Sequence, residues 1–466
     1  MDTKQLQSVW AKKYESVPAQ LEKVKKVASV ATAFNTNIDA VVKISGKQLK
    51  KLIEKHKISA NELKNIKLTA FREPKDVLIG IVKCFEKGIA EEWTTTDMNV
   101  YQWLKKEIGY DRLQMGGQGG IIANVMALLG IKKVITHTNS HPELQAKQFL
   151  NLDNLLAFDG KGQLKKASDI SRDEPPMIHW IIEFDKGDNF TYGDQTFVCP
   201  KSNRFIATYD PLNMNLAVNQ HFKTYLNSHK VSYLLLSGFH PLLKENNGLK
   251  LIKNIVPVIK RWQKANPKMI VHLEVASTQD KAVRKAIIDD IAPISQSIGL
   301  NERETLDLLN VLGKKALSQK IEKEMTACNL FEALLFLKNK LKTPRIQLHM
   351  FGLYMTLQDK SFPRLAKMNL KGMMTAAVVA SSKAANGALT KYQDLTKTLG
   401  QNVSEVGLNE LSLLAQKLKA PELIKTGICQ VGNYSLSAVP TILVEKPKTL
   451  VGMGDTISSV SLIAGR

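Results

Sequence analysis

No stretch of this 466-residue chain stays apolar for the roughly 20 residues that a bilayer-spanning helix needs. Its first residues, "MDTKQLQSVWAKKYESV", carry neither an apolar signal core nor a small-residue cleavage site, so a secreted product is not expected. Cysteine is scarce: Cys84, Cys199, Cys328 and Cys429 lie far apart, with no CxxC or other zinc spacing. That excludes a disulfide scaffold and points to free thiols in a cytoplasm. No GxSxG elbow supplies a nucleophilic serine, and no Walker A sequence or helix-opening GxGxxG after the first strand supplies a common phosphate cradle. His137 and His141 have the i, i+4 spacing of zinc ligands, but "TNS" and Pro142 make the segment a loop, and the HExxH glutamate is missing.

Acids are also in short supply, 43 against 65 Lys and Arg, for a net charge of +22. Charge of that size fits a nucleic-acid binder or an enzyme that steers small polyanions. The lysines are spread over the whole chain and mixed with acids, as in "KEIGYDR" and "SQKIEKEM", and no basic tail, RNP-type motif or zinc finger appears. Nucleic acid is therefore not the expected ligand.

What is present is alternation. Residues 1–26 read as a helix, and "VASVATA" (27–33) as a buried strand that ends in the polar cluster Asn35, Asn37 and Asp39. Ligands of open α/β sheets gather at such strand ends. "GGQGG" (116–120) opens the apolar helix "IIANVMALLG", followed by the strand "KKVITHT". From residue 231 onward, strands ("VSYLLLSGF", "MIVHLEVAS", "ISQSIGL", "RIQLHMFG") alternate with helices (247–265, 281–291, 301–313). This predicts an α/β fold with a central, mostly parallel sheet flanked by helices. Residues 40–115, lysine-rich and mostly helical, and 150–210, with a strand at "MIHWIIEF", break the rhythm. They read as two insertions building a smaller α/β lid. The large domain is then 1–39, 116–149 and 211–466.

Several residues admit two readings. In "VGMGDTIS", Gly452, Met453 and Gly454 form either an anion cradle at a helix N-terminus or a plain turn. Asp455 is then a general base or a helix cap. Gly117 and Gln118 lie in a loop that either approaches a sugar or serves as a hinge. In "NERE", Asn301 and Glu304 make a capping-box pattern, or Glu304 holds water on a divalent cation. His272 and Glu274 share one face of a buried strand, which is costly unless they are paired or serve a site.

Together the motifs "NTNID", "GGQGG", "IHWIIEF", "NRFIATYD", "HLE", "NERE" and "VGMGDTIS", in this order, resemble the ADP-dependent sugar kinases of archaea, a branch of the ribokinase superfamily. The resemblance spans essentially the whole chain. It implies a ribokinase-like large domain with a closing lid, acting in glycolysis as a monomer or small homo-oligomer. The implied reaction transfers the β-phosphoryl of MgADP to glucose or fructose 6-phosphate and releases AMP, with Mg²⁺ or another divalent cation as cofactor.

Carried over by motif, Asp455 resembles the catalytic base, and Gly452, Met453 and Gly454 the anion hole. Glu274 and Glu304, with Asp455, resemble the acids that organise the metal through water. Arg204 resembles the arginine on the nucleotide phosphate, while His349, Tyr354 and Val451 are expected around the adenine. Asn35, Asn37, Asp39, Gly117 and Gln118 match the sugar-binding positions, joined by His179 from the lid. Glu73, with Glu91 as a second candidate, is placed as the glucose-recognising acid. Lys165, Lys166 and Arg204 are placed to receive a 6-phosphate. Carrying both kinds of residue suggests a bifunctional enzyme. The rival readings are an ATP-dependent ribokinase-like sugar or nucleoside kinase, and a nucleic-acid-binding α/β protein.

Overall fold

The computed structural model describes residues 3–466 except 65, 67, 69, 70, 277 and 279. Two sheets organise it. The larger has eleven strands, and its central six neighbouring pairs are parallel. Val30–Ala33 sits between Val134–Thr136 and Tyr233–Leu236, and Ile270–Glu274, Ser297–Asn301 and Arg345–Met350 extend the sheet outward. The strands of this core are buried on both faces because helices cover both, as parallel strands require. Beyond Arg345–Met350 the sheet turns antiparallel through Leu353–Gln358, Tyr434–Pro440 and Ile428–Val431.

The smaller sheet has five strands in the order Glu91–Thr95, Asn203–Tyr209, Ile178–Phe184, Asn37–Lys43 and Arg112–Gly116. It packs its own apolar core, including Trp93, Trp180 and Phe205, against the helix Pro74–Lys87. Gly80 in that helix has Phe205 and Trp93 where a Cβ would go, so the helix lies close on the sheet. The chain passes from one sheet to the other within three residues, between Ala33 and Asn37.

Local chemistry explains where the expected elements were cut. The helix predicted over 1–26 is two helices, Thr3–Tyr14 and Val17–Val24, because Pro18 suits a first turn and not a helix interior. The segment expected to be helical around 93–108 begins instead as the strand Glu91–Thr95, whose Trp-Thr-Thr run favours a pleated surface. Residues 155–166 differ from the expected lid. Leu155–Phe158 pairs parallel to Val134–Thr136, and Leu164–Lys166 closes the edge of the large sheet. Asn37–Lys43, expected partly in the large domain, is a central strand of the small sheet. All four cysteines are free thiols, and among the described residues no helix is long and apolar enough to cross a membrane.

Candidate active site

The cleft between the sheets is a cavity of about 330 Å³, reached by the C-terminal ends of the parallel strands. One wall is the N-terminus of the last helix, Met453–Ala464. Gly452 precedes it with φ +61°, a left-handed conformation natural to glycine, and a Cβ there would press on Ile121 and the Lys383 ammonium. The first backbone N–H groups of a helix have no partners within it, so this end presents donors and a positive dipole to the cavity. Asp455, in the first turn, is buried and accepts a hydrogen bond from Gln118 Nε2 at 2.9 Å. Burial raises its carboxyl above the ordinary range, opposed by Gln118 and by Lys383. Lys383 Nζ donates to the Gly452 carbonyl at 3.1 Å, and burial lowers its ammonium to about 8.

Gln118 itself is held between walls, because its Oε1 accepts from Gly238 N at 3.2 Å. It opens the helix Gln118–Leu128 behind Gly117, which has φ +72° and backs onto the Asn35 carbonyl and the Asn37 side chain. A side chain at Gly117 would be strained and would fill that space. Asn35 Oδ1 accepts from Asn213 Nδ2 at 2.9 Å. Asn37 Nδ2 donates to Asp39 Oδ1 at 3.1 Å, while Asn37 Oδ1 is buried without a partner. A buried acceptor left open in the cleft wall is suited to a ligand hydroxyl. Burial pushes Asp39 up to about 6, against the pull of His179 and the Asn37 amide.

His179 is Asp39's neighbour on the adjacent parallel strand. Its Nε2 bonds the fully buried Asp210 at 2.9 Å, and its Nδ1 lies 3.7 Å from Glu92. Burial alone would lower this imidazole, but Asp210, Glu92 and Asp39 overrule it and hold it up at about 9. Glu92 also accepts from Thr208 Oγ1 at 2.7 Å. From the same sheet, Arg204 reaches the cavity as an exposed cation.

The opposite wall is acidic. Glu304 accepts from Asn301 N at 2.8 Å and Asn301 Nδ2 at 3.0 Å, while Glu304 N donates back to Asn301 Oδ1 at 2.9 Å. The capping box is therefore formed, and the same carboxylate lines the cavity. Burial raises it to about 8 despite the Asn301 N–H, helped by Asp455. Glu274 is pushed well up by burial and then by Asp455 and Glu304. Gly299 makes room for it, since a Cβ there would meet Glu274 and Ser458. Three buried carboxyls that raise one another, only partly offset by Lys383 and Arg345, are the donor chemistry of a hydrated divalent ion. Among the described residues, no group of three or more His, Cys, Asp or Glu is close enough to hold a metal directly.

The family pattern for the "ADP-specific Phosphofructokinase/Glucokinase conserved region" matches residues 28–464. The chain belongs to the ADP-dependent phosphofructokinase/glucokinase family. It is 29% identical to the ADP-specific phosphofructokinase of Methanosarcina acetivorans over 93% of this chain and 92% of that one. It is 30% identical to the ADP-dependent glucose/glucosamine kinase of Pyrococcus furiosus over 97% and 98%. Among solved structures, an ADP-dependent kinase in complex with fructose-6-phosphate and ADPβS superposes with a TM-score of 0.83 at 29% identity, covering 100% of this chain and 98% of that one.

In this family member the cleft gathers most of the motif residues, among them Asn35, Asp39, Gln118, His179, Arg204 and Asp455. Val451 also borders it. His349 and Tyr354 do not. They are buried cross-strand partners, and His349 packs beneath Gly454 with its imidazole lowered to about 4 by burial. Glu73 is exposed at the start of the helix Pro74–Lys87, its N–H donating to Asp76 at 3.3 Å, and lies outside the cavity lining. Glu91 is spent on Lys83 at 2.9 Å and on the Trp93 indole at 2.8 Å. Lys165 and Lys166 lie on the edge strand of the large sheet, paired with Asp159 at 2.8 Å and Asp153 at 3.5 Å, away from the cleft. Alternation alone could not assign an edge strand to one sheet or the other.

Sequence reasoning missed Glu92, Asp210, His240 and Lys383. Asp210 and His240 follow strands, the same signal that found Asn35, and Lys383 is a lone charge in the apolar run "AAVVASSKAA". His272 is a packing residue, hydrogen-bonded to Ser297 Oγ at 2.9 Å and Glu274 at 3.2 Å. His137 and His141 are likewise buried and bonded to backbone, at Phe34 O and Ala167 O.

Proposed function

We propose that this chain transfers the β-phosphoryl group of ADP to a hydroxyl of fructose 6-phosphate or glucose and releases AMP. The observation that carries the reading is the position of Asp455. It stands at a helix N-terminus between the acidic wall of Glu274 and Glu304 and the hydrogen-bonding wall of Asn35, Asn37 and Asp39. Asp455 takes the proton of the attacking hydroxyl, oriented by Gln118, and its raised basicity favours the transfer. The N–H groups of Gly452 to Asp455 face the phosphoryl group in flight, and Arg204 supplies positive charge from the other side of the cleft. Glu274, Glu304 and Asp455 would hold Mg²⁺ through water, and the ion would neutralise phosphate charge when bound. Asp39 and the protonated His179 hold the sugar hydroxyls, with Glu92 as a further acceptor. A carboxylate that favours a hydroxyl would repel a sugar phosphate brought close, so Glu92, which borders the cleft through His179 at 3.7 Å, is the better candidate for the discriminating place first assigned to Glu73. That relatives named for each sugar match at 29% and 30% identity supports a bifunctional enzyme.

The test is a panel of glucose and fructose 6-phosphate with MgADP or MgATP, following AMP and ADP release. AMP formation with MgADP alone is expected. Turnover confined to MgATP would replace this reading with an ATP-dependent kinase.

A further inference from the structure

The parallel sheet has a second end. Opposite the active cleft, the loops that enter Val30–Ala33, Tyr233–Leu236 and Ile270–Glu274 enclose another cavity, of about 600 Å³. A four-residue strand of about 13 Å separates the two ends. Each entering loop brings one cation: Lys26, Lys230 and Lys268. Arg364 reaches in from the segment after Leu353–Gln358, and Arg466 from beyond the last helix. No Asp or Glu lines this space, and among the described residues none of the five side chains is in an ion pair. With cations to acids at 65 to 43 over the chain, an all-cation lining is not what composition alone delivers.

Arg364 is also held incompletely. Its Nη2 donates to the Tyr233 hydroxyl and its Nη1 to the Pro363 carbonyl, each at 3.1 Å, while its Nε is buried with no partner. A guanidinium held at both terminal nitrogens, with a buried Nε still lacking an acceptor, is preorganised for an oxyanion. Below the cations the lining turns apolar through Val231, Met269 and Ile270. Like charges converging on a concave surface repel one another, and their field is strongest inside it. An anion of at least two charges removes that repulsion.

We propose that this basal cavity binds a polyphosphate anion, either free or as the phosphate tail of a mononucleotide resting its base on the apolar floor. The site is separate from the active cleft and does not depend on how the cleft is read.

The test uses calorimetric titration of inorganic pyrophosphate, without magnesium and at about 0.1 M salt, where exposed charges are largely screened. Three variants of the whole chain are compared: Arg204→Met, which removes the exposed cation of the active cleft; the same with Lys230→Glu and Lys268→Glu; and the same with Lys105→Glu and Lys106→Glu, an equal charge reversal on exposed surface far along the chain. Thermal melts confirm that all three fold. The first and third are expected to bind alike, and the second about tenfold more weakly or worse, which is 1.4 kcal/mol or more. Equal binding by all three, no binding by the first, or an equal loss in the second and third would each overturn the proposal. Competition by AMP in the first variant assigns a mononucleotide; its absence assigns the bare polyphosphate.

Discussion

Asp455 lies in the first turn of the last helix and lines the cleft but is not its cap, because Gly452 holds the N-cap position and the Asp455 carboxylate accepts from Gln118 instead. Asp455→Asn keeps the shape and removes the base. Its kcat should fall by at least about a hundredfold, the usual range for losing a general base, with ADP affinity measured by titration little changed. Glu92→Gln should raise the KM for glucose far more than that for fructose 6-phosphate, whereas Glu73→Ala should leave both unchanged. Equal effects of Glu92→Gln on both sugars would return it to a structural role. His179 adds a pH dependence. Its folded pKa of about 9 lies above the unfolded value near 6.5, so its stabilisation is complete below 6.5 and lost as pH rises through 9. The full contribution is on the order of 3 kcal/mol. Denaturant unfolding of His179→Gln should therefore show a shallower fall in stability between those pH values than the parent chain.

Elements hold these groups in place through a few buried polar anchors. Arg345 lies fully buried on the strand Arg345–Met350, and burial lowers its guanidinium to about 9 against the favourable charge of Glu274. It donates to Asn369 Oδ1 at 3.1 Å, Ser297 Oγ at 2.8 Å, Ser461 Oγ at 3.0 Å and the Gln347 amide oxygen. One side chain thus ties two strands to the helices Ala366–Asn386 and Met453–Ala464. Arg345→Ala would leave those acceptors open and should cost about 3 kcal/mol or more in chemical denaturation. The same anchoring appears at Asn301 and Glu304, where the capping box sets the carboxylate's direction before any ligand arrives. The elements themselves were largely legible, because strand–helix alternation after residue 231 follows directly from burial on both faces of a parallel sheet. The small sheet was harder to read. Its strands mix parallel and antiparallel neighbours from distant segments, so no local period announces them.

At the scale of the molecule, two separately packed cores face each other across the cleft, joined by short crossings such as residues 34–36. Hinge closure of such units excludes water and brings the two walls together. Small-angle scattering should show a smaller radius of gyration with sugar and a nonhydrolysable ADP analogue together than with neither. An unchanged radius with both bound would mean that the two sheets stay as they are. The charge of +22 acts at this scale too, since it gives the whole molecule a positive field that attracts anions.

The order of short motifs along the chain was enough to name the family and to single out Asp455, Gln118 and the Asn35–Asp39 cluster, since strand ends and glycine turns are local features. Tertiary structure alone decided which carboxylate of the small sheet faces His179. Glu91 and Glu92 are adjacent in sequence, but a strand sends neighbouring side chains to opposite faces, and only the packed sheet shows which face is the cleft. The same physics removed Lys165 and Lys166 from the site and brought Lys383 into it, because a lysine's surroundings are set by how whole elements pack and not by its own segment.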